Sequence, residues 1–147
     1  MSTKGKVLVA MSGGIDSSVA AMLLHEQGYE VIGITMKTWD YATAGGARKT
    51  TGCCSLDDIN DARALAVDMG FHHIILDIRE EFGDAIIDNF VGEYLAGRTP
   101  NPCVLCNTHI KWDALLKRAD QLGCEFIATG HYAQIRKENG RHIIFKG

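Results

Sequence analysis

No run of apolar residues in this 147-residue chain is long enough to cross a bilayer, which sets aside a membrane-spanning helix. The short apolar stretch after Lys4 and Lys6 breaks at Ser12-Gly13, too early for the core of a signal peptide. An excess of charge of one sign is also missing: Lys and Arg total 15, Asp and Glu 18, and the net charge is −3, so the total does not advertise a nucleic-acid binder. Proline occurs only as Pro100 and Pro102, both in one loop, and neither internal repeats nor low-complexity segments are visible. No lysine lies between Lys6 and Lys37, so the glycines at 13 and 14 do not belong to a Walker A loop, which needs Gly-Lys-[Ser/Thr]. Transfer of a γ-phosphate is therefore not expected. The five cysteines (Cys53, Cys54, Cys103, Cys106, Cys124) are an odd number without a secretory signal. A cytoplasmic, reducing setting follows, with metal binding or thiol chemistry in place of structural disulfides. The 46% hydrophobic and 22% charged residues are ordinary for a globular protein with room for one proper core.

The most informative segment is Ala10 to Ser17, Ala-Met-Ser-Gly-Gly-Ile-Asp-Ser, preceded by Val7-Leu8-Val9 and followed by a helical pattern. A glycine loop that leaves a strand and opens a helix is suited to an anionic phosphate group. Glycine lets the backbone approach a phosphate chain, and the first N–H groups of a helix lack intrahelical acceptors. Ser12, Ser17 and Ser18 can donate hydroxyl hydrogen bonds, and Asp16 can hold a magnesium ion beside the phosphates. A plain strand-to-helix turn is the bland alternative.

Beyond the loop, strand and helix alternate. Strands are expected at Lys6–Met11, Glu30–Met36, His73–Asp77 and Cys124–Thr129, with helices at Asp16–Gln27, Asp57–Met69, Glu80–Ala96 and His109–Leu122. Gly97–Asn107 and Trp39–Gly52 read as loops. Such alternation predicts an α/β, doubly wound, mainly parallel sheet with helices on both faces, its ligand at the carboxyl ends of the strands. Phe82, Phe90 and Tyr94 read as core packing, Cys124 as a small core residue, and His72-His73 as a solvated strand end. After residue 131 the chemistry changes. Ala133–Arg136 and His142–Phe145 flank Asn139-Gly140, a strong hairpin signal. The domain expectation is 1–131 for nucleotide binding, with 132–147 a hairpin leading into a longer protein.

The loop Ser12-Gly13-Gly14-Ile15-Asp16-Ser17 resembles that of the ATP-pyrophosphatases, which split ATP into AMP and pyrophosphate. Three further segments narrow the resemblance: Met36-Lys37-Thr38-Trp39-Asp40, the run from Gly97 through Asn101-Pro102-Cys103 and Cys106 to Trp112, and Ala128-Thr129-Gly130-His131-Tyr132. Together they are similar to the bacterial tRNA-specific 2-thiouridylases, whose fold is adenine nucleotide alpha hydrolase-like. That resemblance implies ATP-dependent thiolation of the wobble uridine of tRNA. It implies phosphate binding by Ala10, Met11, Ser12, Gly13, Gly14, Ile15, Asp16 and Ser17, and nucleotide contacts by Met36 and Gly130. Asn101, Pro102 and Cys103 would contact the target base, and Cys106 would be the nucleophile. A persulfide-bearing second cysteine is expected beyond Gly147. The implied partners are tRNA and a sulfur-donor protein of the cysteine desulfurase relay, with no membrane.

One position departs from the family pattern: Cys103-x-x-Cys106 stands where many members carry Asp-x-x-Cys. With the third cysteine downstream, the pair can hold an iron–sulfur cluster that binds the sulfur in place of a persulfide relay; alternatively Cys103 simply replaces the aspartate or closes a regulatory disulfide with Cys106. Cys53-Cys54 reads as a helix-entry pair without catalytic duty, while His131, at a strand's carboxyl end, reads as functional. Two other functions compete with thiolation: a ligase of the GMP- or NAD-synthetase type on the same loop, and a nucleotide- or metal-binding module without turnover.

Overall fold

The computed structural model describes residues 4–37, 56–82, 86–105 and 110–147. Four strands, β1 (Lys6–Ala10), β2 (Glu30–Lys37), β3 (His72–Asp77) and β4 (Phe126–Ala128), form one parallel sheet in the order β3-β2-β1-β4. Helices α1 (Ile15–Glu26), α2 (Leu56–Met69), α3 (Arg79–Phe82), α4 (Asp88–Leu95), α5 (Pro102–Leu105) and α6 (Trp112–Leu122) lie between them. The doubly wound arrangement read from the alternation is the one the chain adopts.

Its cause is visible in β1. Val7, Leu8 and Val9 are all buried, as a central strand covered on both faces requires. Alternate side chains serve opposite faces. Val7, Val9 and Val31 pack with Ala21 of α1 and Ala62 of α2. Leu8, Ile32, Ile34 and Met36 pack on the other face with Leu115 and Ala119 of α6, joined by Ile86 and Ile110. Among the described residues no helix is long and apolar enough to cross a membrane.

Three expectations are corrected. The single helix over Glu80–Ala96 is represented by α3 and α4, with residues 83–85 outside the description. Phe90 and Tyr94 are not core: they are 40% and 57% exposed, and their rings meet edge-on at 4.9 Å on a helix that buries none of its residues. Spacing by four defines a stripe on a helix, but whether a sheet faces that stripe is decided elsewhere in the chain. The loop Gly97–Asn107 contains the one-turn α5, whose entry is braced by Val104 N–H donating to Asn101 Oδ1 at 3.3 Å. Cys124 packs against the core as expected, and burial pushes its thiol pKa up.

The hairpin forms as β5 (Ala133–Glu138) and β6 (Arg141–Lys146), an antiparallel pair separate from the main sheet. Asn139 and Gly140 have φ of 49° and 77°, the left-handed pair that a two-residue turn matched to strand twist demands.

Candidate functional site

Strand β1 has β2 on one side and β4 on the other, so chain order reverses across it. At such a switch point the loops leaving the two central strands diverge and open a crevice. A cavity of about 310 Å³ lies there. Ala10, Met11, Ser12, Gly14, Asp16 and Ser17 form one wall, Ile34 and Met36 of β2 a second, and Thr129, Gly130 and His131 a third, with Lys111, Trp112 and Leu115 closing it from α6 and the residue before it.

Helix α1 begins without a side-chain cap, although Ser12 precedes it and Ser17 and Ser18 lie in its first turn. The amides of its first turn therefore keep their donors and the positive end of the dipole for a ligand. The serine hydroxyls are used differently from the expectation that they face phosphate. Ser17 and Ser18 donate to the carbonyl of Gly14 at 3.3 and 2.8 Å, and Ser12 Oγ accepts Gly14 N–H at 3.3 Å. They tie the loop to itself, because a loop leaving a sheet must find local partners for its own polar backbone. Gly13 adopts φ +82°, and a Cβ there would sit 2.5 Å from Asp58 Cα, so α2 seats against the loop only because the residue is glycine. Gly13 and Ile15 stand outside the cavity wall, and the Ile15 side chain is 82% exposed.

The segment after β4 locks onto the same turn. A Cβ on Gly130 would meet Ser17 N at 2.5 Å and Ser17 Cα at 2.8 Å, so the start of α1 rests directly on this backbone. Tyr132 then reaches back, its hydroxyl donating to Asp16 Oδ1 at 2.8 Å. That bond and the carboxylate's charge push the Tyr132 phenol above its ordinary range. His131 Nδ1 lies 2.6 Å from Thr129 Oγ1.

The structure thus brings Ala10, Met11, Ser12, Gly14, Asp16, Ser17, Met36 and Gly130 to one cavity. Asn101 is exposed just before α5; the side chains of Pro102 and Cys103, on α5, lie outside the described residues, as do Cys106, Cys53, Cys54, Trp39 and Asp40. Among the described residues no group of three His, Cys, Asp or Glu side chains can hold a metal ion. The sequence reading missed the contribution of Lys111, Trp112 and Leu115 to the cavity. The signal was present in Ile110-Lys111-Trp112, where an apolar residue that anchors in the core precedes a cation and an aromatic. His73 was also misread: it is half-buried, with Nε2 2.8 Å from Thr35 Oγ1. A dipeptide at a strand start does not reveal which neighbouring strand offers a partner.

Residues 5–147 match the family described as tRNA methyl transferase HUP domain. The chain is 76% identical over 144 residues to the tRNA-specific 2-thiouridylase MnmA of Amoebophilus asiaticus (strain 5a2), covering 98% of this chain and 38% of that protein. It is 75% identical over 147 residues to the protein of the same name from Cytophaga hutchinsonii, covering 100% of this chain and 40% of the relative. The chain thus spans about two fifths of the length of these curated relatives. Among solved structures, the glutamine-dependent NAD+ synthetase of Acinetobacter baumannii in complex with ADP superposes with a TM-score of 0.59 at 20% identity, over 86% of this chain and 22% of that one. At that identity the likeness is one of fold.

Proposed function

The chain belongs to the tRNA methyl transferase HUP domain family, and on that premise we propose that it is the ATP-binding part of a tRNA-specific 2-thiouridylase. The observation that carries this reading is the uncapped N-terminus of α1 facing a cavity at the switch point of the sheet. The phosphates of ATP lie along the residue 11–17 turn, and the nucleoside lies towards Met36 and Gly130. A magnesium ion fits beside Asp16, since such ions are held by one or two carboxylates together with substrate phosphates, and it would stabilise charge on the departing pyrophosphate.

The chemistry follows from the weakness of the uridine 2-carbonyl as an electrophile. Its oxygen attacks the α-phosphorus, pyrophosphate leaves, and C2 then carries AMP as a leaving group. Sulfur attacks C2 and AMP departs with the former carbonyl oxygen. The amides at the start of α1 face the charge that develops on pyrophosphate. The sulfur comes from a persulfide on a second cysteine, either by its direct attack on C2 or as hydrosulfide, released when the Cys106 thiolate attacks the persulfide's inner sulfur and forms a disulfide with the second cysteine. Two features support the membership of Cys106 in the site. Leu105 and Ile110, on either side of residues 106–109, both pack on the core that holds Leu8 and Met36, and Lys111 and Trp112 line the cavity. A cation five residues on in sequence, Lys111, favours the thiolate. Asn101, Pro102 and Cys103 precede that thiol and would meet the base. The tRNA and a sulfur-donor protein are the partners this chemistry needs.

The test is Cys106→Ser in the full-length protein. Formation of 2-thiouridine in tRNA is abolished while ATP binding persists. A ligase on the same fold needs no thiol, so retained turnover in the variant would replace the thiolation reading with that one.

A further inference from the structure

Met11 is the last residue held by the sheet before the chain departs into the glycine loop. Its N–H donates to the carbonyl of Ile34 on β2 at 2.8 Å, but its own carbonyl is taken by a side chain, Thr35 Oγ1–H, at 2.8 Å. Thr35 is 1% exposed, so water does not compete for that hydroxyl. A threonine hydroxyl has one proton, and here it is committed to a carbonyl that has none to give. The contact of 2.8 Å between Thr35 Oγ1 and His73 Nε2 therefore has one polarity: His73 Nε2–H donates. This assigns the ring's tautomer and leaves Nδ1 as the unprotonated nitrogen, buried and without a partner among the described residues. Burial and the nearby Arg63 guanidinium lower the His73 pKa and keep the ring neutral.

Three adjacent strands are thus joined by a single chain of donors, from His73 on β3 through Thr35 on β2 to the carbonyl that follows β1. The other side of the same peptide unit is held too, because Ser12 N–H donates to Ser17 Oγ at 3.2 Å. Packing adds a third restraint. The Met11 sulfur fills the space above Gly33, where a Cβ would lie 2.6 Å from Sδ and 3.1 Å from His73 Cδ2. The Met11–Ser12 peptide is clamped at its carbonyl, at its N–H and through its side chain, while the loop beyond it is exposed.

We propose that Thr35 and His73 are positioning residues for the phosphate site: their relay sets the plane of the Met11–Ser12 peptide and so aims the amides that follow at the phosphates of the nucleotide. This deepens the reading of residues 10–17 as the phosphate site and rests on it. The relay touches no ligand. It removes alternative orientations of the loop before ligand arrives, so binding energy is not consumed in ordering it.

The test is calorimetric titration of the full-length protein with magnesium and either ATP or adenosine. Thr35→Val preserves shape but leaves the Met11 carbonyl without its donor, and ATP binding weakens about tenfold, the effect of one buried hydrogen bond left unmade. Adenosine affinity stays within about twofold, and Thr35→Ser restores ATP binding. His73→Leu, which leaves the hydroxyl in place, produces a smaller loss of about threefold, again confined to ATP, and carries the test if Thr35→Val fails to fold. Unchanged ATP affinity in both variants, or an equal loss for ATP and adenosine, would overturn the inference while leaving the phosphate site intact. Failure of the wild-type protein to bind ATP would remove the phosphate site, and the inference with it.

Discussion

Two glycine-to-alanine substitutions in this chain should move stability in opposite directions. At Gly130 a methyl group would lie 2.5 Å from Ser17 N, 2.8 Å from Ser17 Cα and 2.9 Å from the Asp16 carbonyl carbon, all closer than the 3.0 Å below which real Cβ contacts are essentially unknown. All three are backbone atoms in the first turn of α1, so no side chain can swing aside. Either the segment after β4 or the start of the helix must retreat by several tenths of an ångström. Overpacking of this kind costs about 1–3 kcal/mol. For a chain of this size that is a fall in melting temperature of about 2–4 °C for each kcal/mol. At Gly92, inside α4 and exposed, a Cβ meets nothing within 4 Å, and its φ is not in the left-handed region. Alanine there removes backbone freedom from the unfolded chain and should stabilise by about 0.5–1 kcal/mol. Chemical denaturation of both variants beside the wild type reads the two signs directly. Nucleotide affinity provides a second axis, because Gly130→Ala displaces the amides at the start of α1 whereas Gly92→Ala acts on a helix outside the cavity wall. Should Gly130→Ala unfold at the wild-type midpoint and bind ATP unchanged, the close seating of the β4 exit on the helix N-terminus would be refuted.

Two titrations follow from the electrostatics. Tyr132 ionises above the usual tyrosine range because its hydroxyl is bonded to the Asp16 carboxylate; the ultraviolet difference between wild type and Tyr132→Phe should show a late titration that moves back towards about 10 in Asp16→Asn. A late transition that persists in Asp16→Asn would show that another group causes it. The Asp77 carboxyl is held down to about 2 by side-chain and backbone hydrogen bonds from Arg79, whose Nη2 lies 2.7 Å from Oδ2. A depressed carboxyl contributes stability above its unfolded pKa and loses that contribution as pH falls through its folded value. The gap between wild type and Arg79→Gln should therefore exist at neutral pH, close between about pH 4 and 2, and stay small because the pair is exposed. Carboxyl NMR shifts that place Asp77 near 4 in the wild type would contradict it.

The alternation of apolar runs with helical periods determined the doubly wound sheet, because a central parallel strand such as Lys6–Ala10 has to be hydrophobic on both faces and is recognisable locally. Asn139-Gly140 determined the hairpin for a similar reason: few residue pairs tolerate two left-handed conformations in succession. The glycine loop was legible as an anion site because its requirements are those of a few consecutive residues. Relations between segments distant in sequence were not legible. Only the folded chain turned the serine hydroxyls inward onto Gly14, set Gly130 on the backbone of Ser17, and joined His73 through Thr35 to the Met11 carbonyl. The same limit explains the misreading of Phe90 and Tyr94: Ile86, four residues before Phe90, is buried in the core, but the helix that carries the two rings buries none of its residues. A residue's chemistry and its neighbours in sequence are written in the chain. The partner that satisfies a buried donor, or covers an apolar face, is chosen by which elements pack together.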